Sequence, residues 1–141
     1  MHVVVKRVYE PASPADGVRV LVDRLWPRGL RKEEAAVKIW LRDLAPSKEL
    51  RVWFHANPEA WRLFRKRYLK ELAGPAASAA VEKLYGLAEA KGKVTLLYAS
   101  KNEEHNNAIV LKDLLEGERK PPSSVGRGAV GRGRIRKAKK Q

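Results

Sequence analysis

Short aliphatic runs, each ended by proline or glycine, predict the strands of this chain. Residues 3–8 hold four valines and predict a first strand that ends at Tyr9. Residues 18–25 predict a second strand covered on both faces, because Val18, Val20, Leu21 and Val22 form a nearly continuous apolar run. The run Val-Thr-Leu-Leu-Tyr-Ala over residues 94–99 predicts another buried strand.

Two alternatives fit the segment that follows a predicted short helix over residues 31–36. Val37, Ile39 and Leu41 alternate with more polar neighbours, which is the period of a strand. A continuous helix over residues 31–44 is the alternative. We favour the third strand because β-branched residues coincide with the alternation.

Apolar residues at intervals of three and four predict the remaining helices. Ser47 is a suitable cap for a helix over residues 48–54. Asn57 and Pro58 predict the cap and first residue of the next helix, which runs to Ala73. Its buried stripe is Trp61, Phe64, Tyr68 and Leu72. Two more helices are expected over residues 76–90 and from about residue 107 to residue 115.

Strands that are separated by helices predict an α/β fold, a three-layer sandwich with a small, mainly parallel sheet flanked by helices. We expect residues 1–118 to form a single domain. The composition then changes to Pro-Pro-Ser-Ser, Arg-Gly repeats and a Lys-rich end. Such a segment cannot bury enough apolar surface to offset its ordering entropy, so residues 119–141 are predicted to be a disordered basic tail.

The charge and the cysteine content of the chain indicate its cellular compartment and the class of partner that it attracts. Thirty Lys and Arg against sixteen Asp and Glu give a net charge of +14, half of it within residues 121–141. The chain has no cysteine, no recognisable signal peptide and no apolar run long enough to cross a membrane. We therefore expect a cytoplasmic protein with no membrane partner, whose charge attracts polyanions.

A first cluster of candidate site residues follows the second predicted strand. Asp23, Arg24, Trp26 and Arg28 lie in the turn Asp-Arg-Leu-Trp-Pro-Arg-Gly. Ligands of open α/β sheets bind at strand ends, and the guanidinium fork matches carboxylate and phosphate oxygens. Internal pairing of Asp23 with an arginine is the structural alternative.

A second cluster follows the strand over residues 94–99. The segment Ser100–Glu103 has the spacing of a capping box, with Asn102 as a rival cap. Free N–H groups at a helix start favour an anion, and Lys101, His105 and Asn106 lie close to them. If the two strands are parallel neighbours, both clusters reach one cleft. A surface or capping role for His105 is the alternative.

Motifs for other chemistry are missing from the sequence. There is no Walker loop, dinucleotide fingerprint or nucleophile elbow, so no cofactor is predicted. His2, His55 and His105 are too scattered for a metal site, and none is predicted.

Several segments resemble the domain-of-unknown-function 488 family, in its short bacterial and archaeal subgroup. They are residues 5–9, 17–29 (Gly-Val-Arg-Val-Leu-Val-Asp-Arg-Leu-Trp-Pro-Arg-Gly), 40–47 and 96–100, with Glu104-His105-Asn106. The resemblance implies an α/β sandwich and a site that includes Asp23, Arg24, Arg28 and His105. It implies no activity. Longer relatives carry Cys-His-Arg where this chain has Glu-His-Asn, which argues against a thiol mechanism.

Two functions are therefore expected. In the first, the protein binds, or acts on, a small anionic ligand: Arg24 and Arg28 hold the anion, Trp26, Lys101 and Asn106 line the site, and His105 and Asp23 are the candidate catalytic residues. In the second, residues 120–141 bind RNA or DNA electrostatically, helped by a basic helix face. That face is Arg62, Arg65, Lys66, Arg67 and Lys70. A solubilising tail and a solvated helix face are the alternative, and the oligomeric state is not readable.

Overall fold

A computed structural model describes residues 1–117; the predicted tail lies outside them. Their sheet has four strands, all parallel, in the order β1-β4-β2-β3. The strands are β1 (His2–Arg7), β2 (Val18–Leu21), β3 (Ile39–Trp40) and β4 (Lys93–Tyr98). The predicted α/β sandwich with a parallel sheet is confirmed.

Helices cover the two faces of the sheet unequally. They are α1 (Lys32–Ala35), α2 (Lys48–Ala56), α3 (Trp61–Leu72), α4 (Pro75–Lys91) and α5 (Asn107–Glu116). The main core joins one sheet face to α2, α3, α4 and α5, and the predicted α3 stripe of Phe64, Tyr68 and Leu72 is buried in it. On the other face, α1, the loop after β2 and Trp40 of β3 cover a smaller cluster around Leu21 and Leu97.

Two strands are shorter than predicted. The second strand ends at Leu21 rather than at residue 25, although Val22 still donates its N–H to Leu97. The chain then turns at Asp23, whose side chain is bonded across the sheet edge. The third strand is reduced to Ile39 and Trp40, because Arg42–Leu44, one residue farther along, form a single turn of 3₁₀ helix.

The predicted start of the long basic helix is wrong. Instead of capping a helix that begins at Pro58, Asn57 donates its side-chain amide to the carbonyl of Trp53, at the end of α2. Its own carbonyl accepts the N–H of Ala60 in a turn, and α3 begins at Trp61. The Asn-Pro pair therefore ends one helix and turns the chain before the next.

The cap of the last helix also differs from the prediction. Asn106, not Ser100 or Asn102, caps α5 by accepting the N–H of Ile109 at 3.1 Å. Asn102 instead accepts the N–H groups of Glu104 and His105 at 3.0 and 2.9 Å. The segment after β4 is thus a polar loop, and α5 begins at Asn107, close to the predicted start, with a cap that differs from the predicted ones.

A buried ionic cluster lies on β2, which the sequence pattern suggested was apolar. Arg19 is only 4% exposed and donates to Asp16 at 2.8 Å. Asp16 also accepts from Lys6 at 3.1 Å and from the N–H of Ser13 at 3.0 Å. Burial alone would raise the pKa of Asp16, but its bonds to Arg19, Ser13 and Lys6 outweigh burial and lower it.

Within residues 1–117, none of the helices is both long enough and apolar enough to span a lipid bilayer.

Candidate functional site

The two candidate segments leave the sheet from adjacent strands. β2 and β4 are parallel neighbours, with Leu21 opposite Leu97. Their carboxyl ends therefore lie at one edge of the sheet, where Asp23 follows β2 and Ala99 follows β4. This is the arrangement on which the sequence-based hypothesis of a shared cleft depends.

Asp23 joins the two segments directly. Its Oδ2 accepts the N–H of Ala99 at 2.9 Å, and its Oδ1 accepts the side-chain amide of Asn107 at 3.1 Å. The same amide donates to the carbonyl of Val22 at 3.0 Å. The Asp23 carbonyl accepts the indole N–H of Trp40 at 2.7 Å. The Asp23 carboxylate therefore links the β2 turn to the start of α5 through hydrogen bonds.

Burial has the largest effect on the pKa of the Asp23 carboxyl group. It raises the pKa of Asp23, and the bonds from Asn107 and Ala99 and the positive charge of Arg51 offset that rise only in part. Tyr68 is fully buried nearby and donates its hydroxyl to the carbonyl of Leu44. Burial, with the negative charges of Asp23 and Glu71, raises the pKa of Tyr68 well above its ordinary value. Tyr68 is thus a neutral hydrogen-bond donor near physiological pH.

Within residues 1–117, the carboxylate of Asp23 forms no ion pair with Arg24 or Arg28. Arg24 is exposed and extends toward the start of α2, where its Nη2 donates to the carbonyl of Ala45 at 3.3 Å and lies 3.5 Å from that of Pro46. Among residues 1–117, no ion pair includes Arg24 or Arg28. Both guanidinium charges are therefore without a carboxylate partner in the described part of the chain.

Trp26 and Arg28 lie on the other side of the same loop. The indole of Trp26 is half-buried, donates its N–H to the carbonyl of Leu30 at 2.7 Å and packs edge-on against Trp40 at 5.5 Å. Its donor is therefore occupied, and only its ring is available for contact. Arg28 is exposed, and its carbonyl accepts the hydroxyl of Tyr9 at 2.9 Å. The loop thus directs Arg24 toward α2 and fixes the backbone of Arg28 near the end of β1.

The candidates after β4 differ in their accessibility. His105 is half-buried and stacks on Trp61, with ring centroids 4.6 Å apart and planes 12° apart. Lys101 is exposed, and none of the ion pairs formed within the described range involves it. Asn106 is buried and donates its amide to Asn102 at 2.9 Å while it caps α5. Both the amide nitrogen and the amide oxygen of Asn106 are therefore hydrogen-bonded within the domain.

Arg7 is a residue of this edge that the sequence reasoning missed. Its Nε donates to the carbonyl of Ser100 and its Nη2 to that of Ala99, both at 2.9 Å. Its guanidinium also lies over the ring of Tyr9, 4.9 Å from the centroid. The position of Arg7 at the end of the first strand was the available clue, because the argument from strand ends applies to it as well.

Comparison with known proteins identifies the family. A family model described as the inactive DUF488-N3 subclade matches residues 2–125. The chain belongs to the DUF488 family. An uncharacterised protein of Mycobacterium tuberculosis is 48% identical over 116 residues, which cover 82% of this chain and 95% of that protein. The uncharacterised protein YeaO of Escherichia coli is 44% identical over 115 residues, which cover 82% and 97%. No solved structure matches the chain significantly.

Membership in the DUF488 family confirms the resemblance read from residues 17–29 and the neighbouring segments. Those segments contain Asp23, which links the ends of β2 and β4, together with Arg24, Arg28 and His105. Over residues 1–117 of this DUF488 protein, no group of three or more His, Cys, Asp or Glu side chains is arranged to hold a metal ion.

Proposed function

We propose that this DUF488 protein binds a small phosphate- or carboxylate-bearing molecule at the carboxyl edge of its sheet. The observation that supports this most is the state of Asp23. Both of its oxygens accept N–H donors from Ala99 and Asn107, so its charge is used to hold the loop. Arg24 and Arg28, in the same loop, are left exposed and without an ion pair in the described part of the chain.

The chemistry of the edge suits an anion. A guanidinium group offers paired donors to the oxygens of a carboxylate or a phosphate. Arg51 contributes positive charge near Asp23, and Lys101 extends the basic surface beyond β4. Two ring surfaces are available to the rest of a ligand: Trp26 on the side of the smaller cluster, and His105, stacked on Trp61, on the side of the main core.

Binding without turnover is the form of the proposal that we favour. The matched family model is described as an inactive subclade. His105 is held against Trp61, and Asp23 and Asn106 are hydrogen-bonded within the fold. In this form of the proposal, His105 contacts the ligand, while Asp23 and Asn106 position the loops that surround it.

Titration with inorganic phosphate and with sulfate tests this proposal, with two-dimensional NMR to report which residues respond. We expect shifts in the backbone signals of Arg24, Arg28 and residues 100–107. Replacing both arginines by glutamine should weaken binding by about tenfold for each lost charge-assisted contact. The control K83Q removes an exposed cation from α4 and should leave the affinity for phosphate unchanged. Shifts that are absent at millimolar phosphate, or that lie elsewhere, would contradict the proposal.

The second predicted function, nucleic-acid binding through residues 120–141, stays a prediction, because those residues lie outside the described part of the chain. It involves a different ligand and a different segment from the sheet-edge site. Replacing the Lys and Arg residues of this segment by glutamine should weaken RNA and DNA binding at low salt if the prediction holds. Phosphate binding at the sheet edge should survive that change.

A further inference from the structure

The outer face of α3 is strongly basic. At 3.6 residues per turn, the buried stripe of this helix lies on one side and the exposed residues lie opposite it. Phe64, Tyr68 and Leu72 are buried on the inner side. The exposed side consists of Arg62, Leu63, Lys66, Arg67 and Lys70. Arg65, which the sequence suggested as part of this face, is half-buried to one side of it.

The charge of this face is not neutralised within the described fold. Arg65 lies 3.9 Å from Asp113, and the acidic residue of α3, Glu71, accepts from the N–H and hydroxyl of Ser47 at 2.8 and 2.6 Å. In residues 1–117, no ion pair includes Arg62, Lys66, Arg67 or Lys70.

The excess charge of the described residues is concentrated here. Residues 1–117 hold 21 Lys and Arg against 15 Asp and Glu, a net charge of +6. The twelve residues of α3 hold five against one, a net charge of +4. Most of the net charge of this part of the protein therefore belongs to a single helix.

We propose that this face of α3 binds the backbone of single-stranded nucleic acid, independently of residues 120–141. Arg62, Lys66 and Lys70 follow one another at intervals of four residues, so they form a ridge with steps of about 6 Å along the helix axis. Arg67 lies over the ring of Trp53, 4.4 Å from its centroid, which presents a flat guanidinium surface on which a base can stack. Such binding is electrostatic and largely independent of sequence.

The composition of the face favours nucleic acid over a membrane surface. A helix that lies on a bilayer directs its apolar side into the lipid. In α3 that side is packed into the protein core, and Leu63 is the one apolar residue among the five on the exposed side. The face therefore offers cations and hydrogen-bond donors with little apolar surface to insert.

The test uses the full chain and two double variants of equal charge. K66Q/K70Q removes two cations from the exposed face of α3, and K83Q/K91Q removes two exposed cations from α4. Binding of fluorescently labelled single-stranded DNA and RNA is measured by anisotropy over a range of salt concentrations. Circular dichroism melts verify that both variants remain folded.

We expect K66Q/K70Q to bind more weakly and to show a shallower dependence of log K on log salt, by about 0.7 for each lost phosphate contact. K83Q/K91Q should keep the slope of the natural chain. Equal losses in both variants would show that only total charge matters, and would overturn the proposal. The proposal would also be overturned if the natural chain bound neither DNA nor RNA. Binding to phosphatidylserine vesicles is measured in parallel, and a loss in K66Q/K70Q that is confined to the vesicles would likewise overturn it.

Failure of this proposal would not count against the proposed sheet-edge site, because the two tests use different variants and different ligands. R24Q/R28Q should retain nucleic-acid binding if α3 provides the surface. K66Q/K70Q should likewise retain the phosphate-induced NMR shifts of residues 100–107.

Discussion

Asp23 is the residue through which the β2 turn and the start of α5 are connected. Its two oxygens face donors, the N–H of Ala99 and the amide of Asn107. In D23N, one oxygen becomes an NH₂ group that faces a donor in a largely buried place. We expect this mismatch to lower the free energy of unfolding by about 1–3 kcal/mol at neutral pH, as measured by denaturant titration.

The pH dependence of that loss follows from the raised pKa of Asp23. A raised pKa means that folded Asp23 binds its proton more tightly than Asp23 of the unfolded chain does. The contribution of Asp23 to stability is therefore fully present below the pKa of the unfolded chain and is lost as the pH rises through the pKa of the folded protein. The stability gap between the natural chain and D23N should therefore widen as the pH is lowered toward 4. The exposed Asp43 provides the control variant D43N. A gap that stays constant with pH would show that Asp23 titrates like an exposed carboxylate.

At this scale, the sequence indicated the chemical types of the site residues but not their partners. Asp23, Arg24 and Arg28 are recognisable because they follow an apolar strand, in a turn that ends in Pro-Arg-Gly. That Asp23 bonds to Asn107 rather than to an arginine depends on a contact between residues 84 positions apart. No local pattern encodes such a contact. Arg7 differs in this respect, because its place at the end of the first strand is a local clue.

Among the elements, α5 shows how tertiary contacts choose between local alternatives. Ser100, Asn102 and Asn106 are all acceptable caps within one polar segment. Asn106 is used because the adjacent Asn107 is anchored to β2 through Val22 and Asp23, which fixes where the helix begins. The elements with long apolar periodicity, α4 and β4, matched their predicted ranges within about one residue at each end.

The cap assignment leads to a prediction for α5. N106A leaves the N–H of Ile109 without its acceptor and removes the bond to Asn102, so we expect a loss of about 1–2 kcal/mol in the free energy of unfolding. S100A removes an exposed hydroxyl that accepts only from Asn102 in the described structure, and should cost less than about 0.5 kcal/mol. Thermal denaturation of the two variants compares them. Equal losses would contradict the assignment of Asn106 as the cap.

Across the whole molecule, the sheet depends on a close approach between β2 and β4. Gly17 has φ of +65° at the start of β2, and a Cβ atom there would lie 2.5 Å from the carbonyl oxygen of Lys93. G17A should therefore lower the free energy of unfolding by at least about 2 kcal/mol.

Gly86 provides the matched comparison for G17A. It lies on α4, and a Cβ there meets nothing within 4 Å. G86A should raise the stability by up to about 1 kcal/mol, because alanine favours a helix. Denaturant titration of both variants checks the pair. A G17A protein as stable as the natural chain would show that the strands can separate without cost.

The strand order has a consequence for self-association. β1 is an outer strand of six residues, and such an edge offers unpaired backbone groups to another polypeptide. Here the carboxylate of Glu116, at the end of α5, accepts the N–H of Val3 at 3.3 Å, and Lys6 adds a charge farther along the strand. The last helix thereby shields the exposed border of the sheet. A second copy that tried to extend the ladder there would have to displace the Glu116 carboxylate, and this opposes aggregation by strand addition.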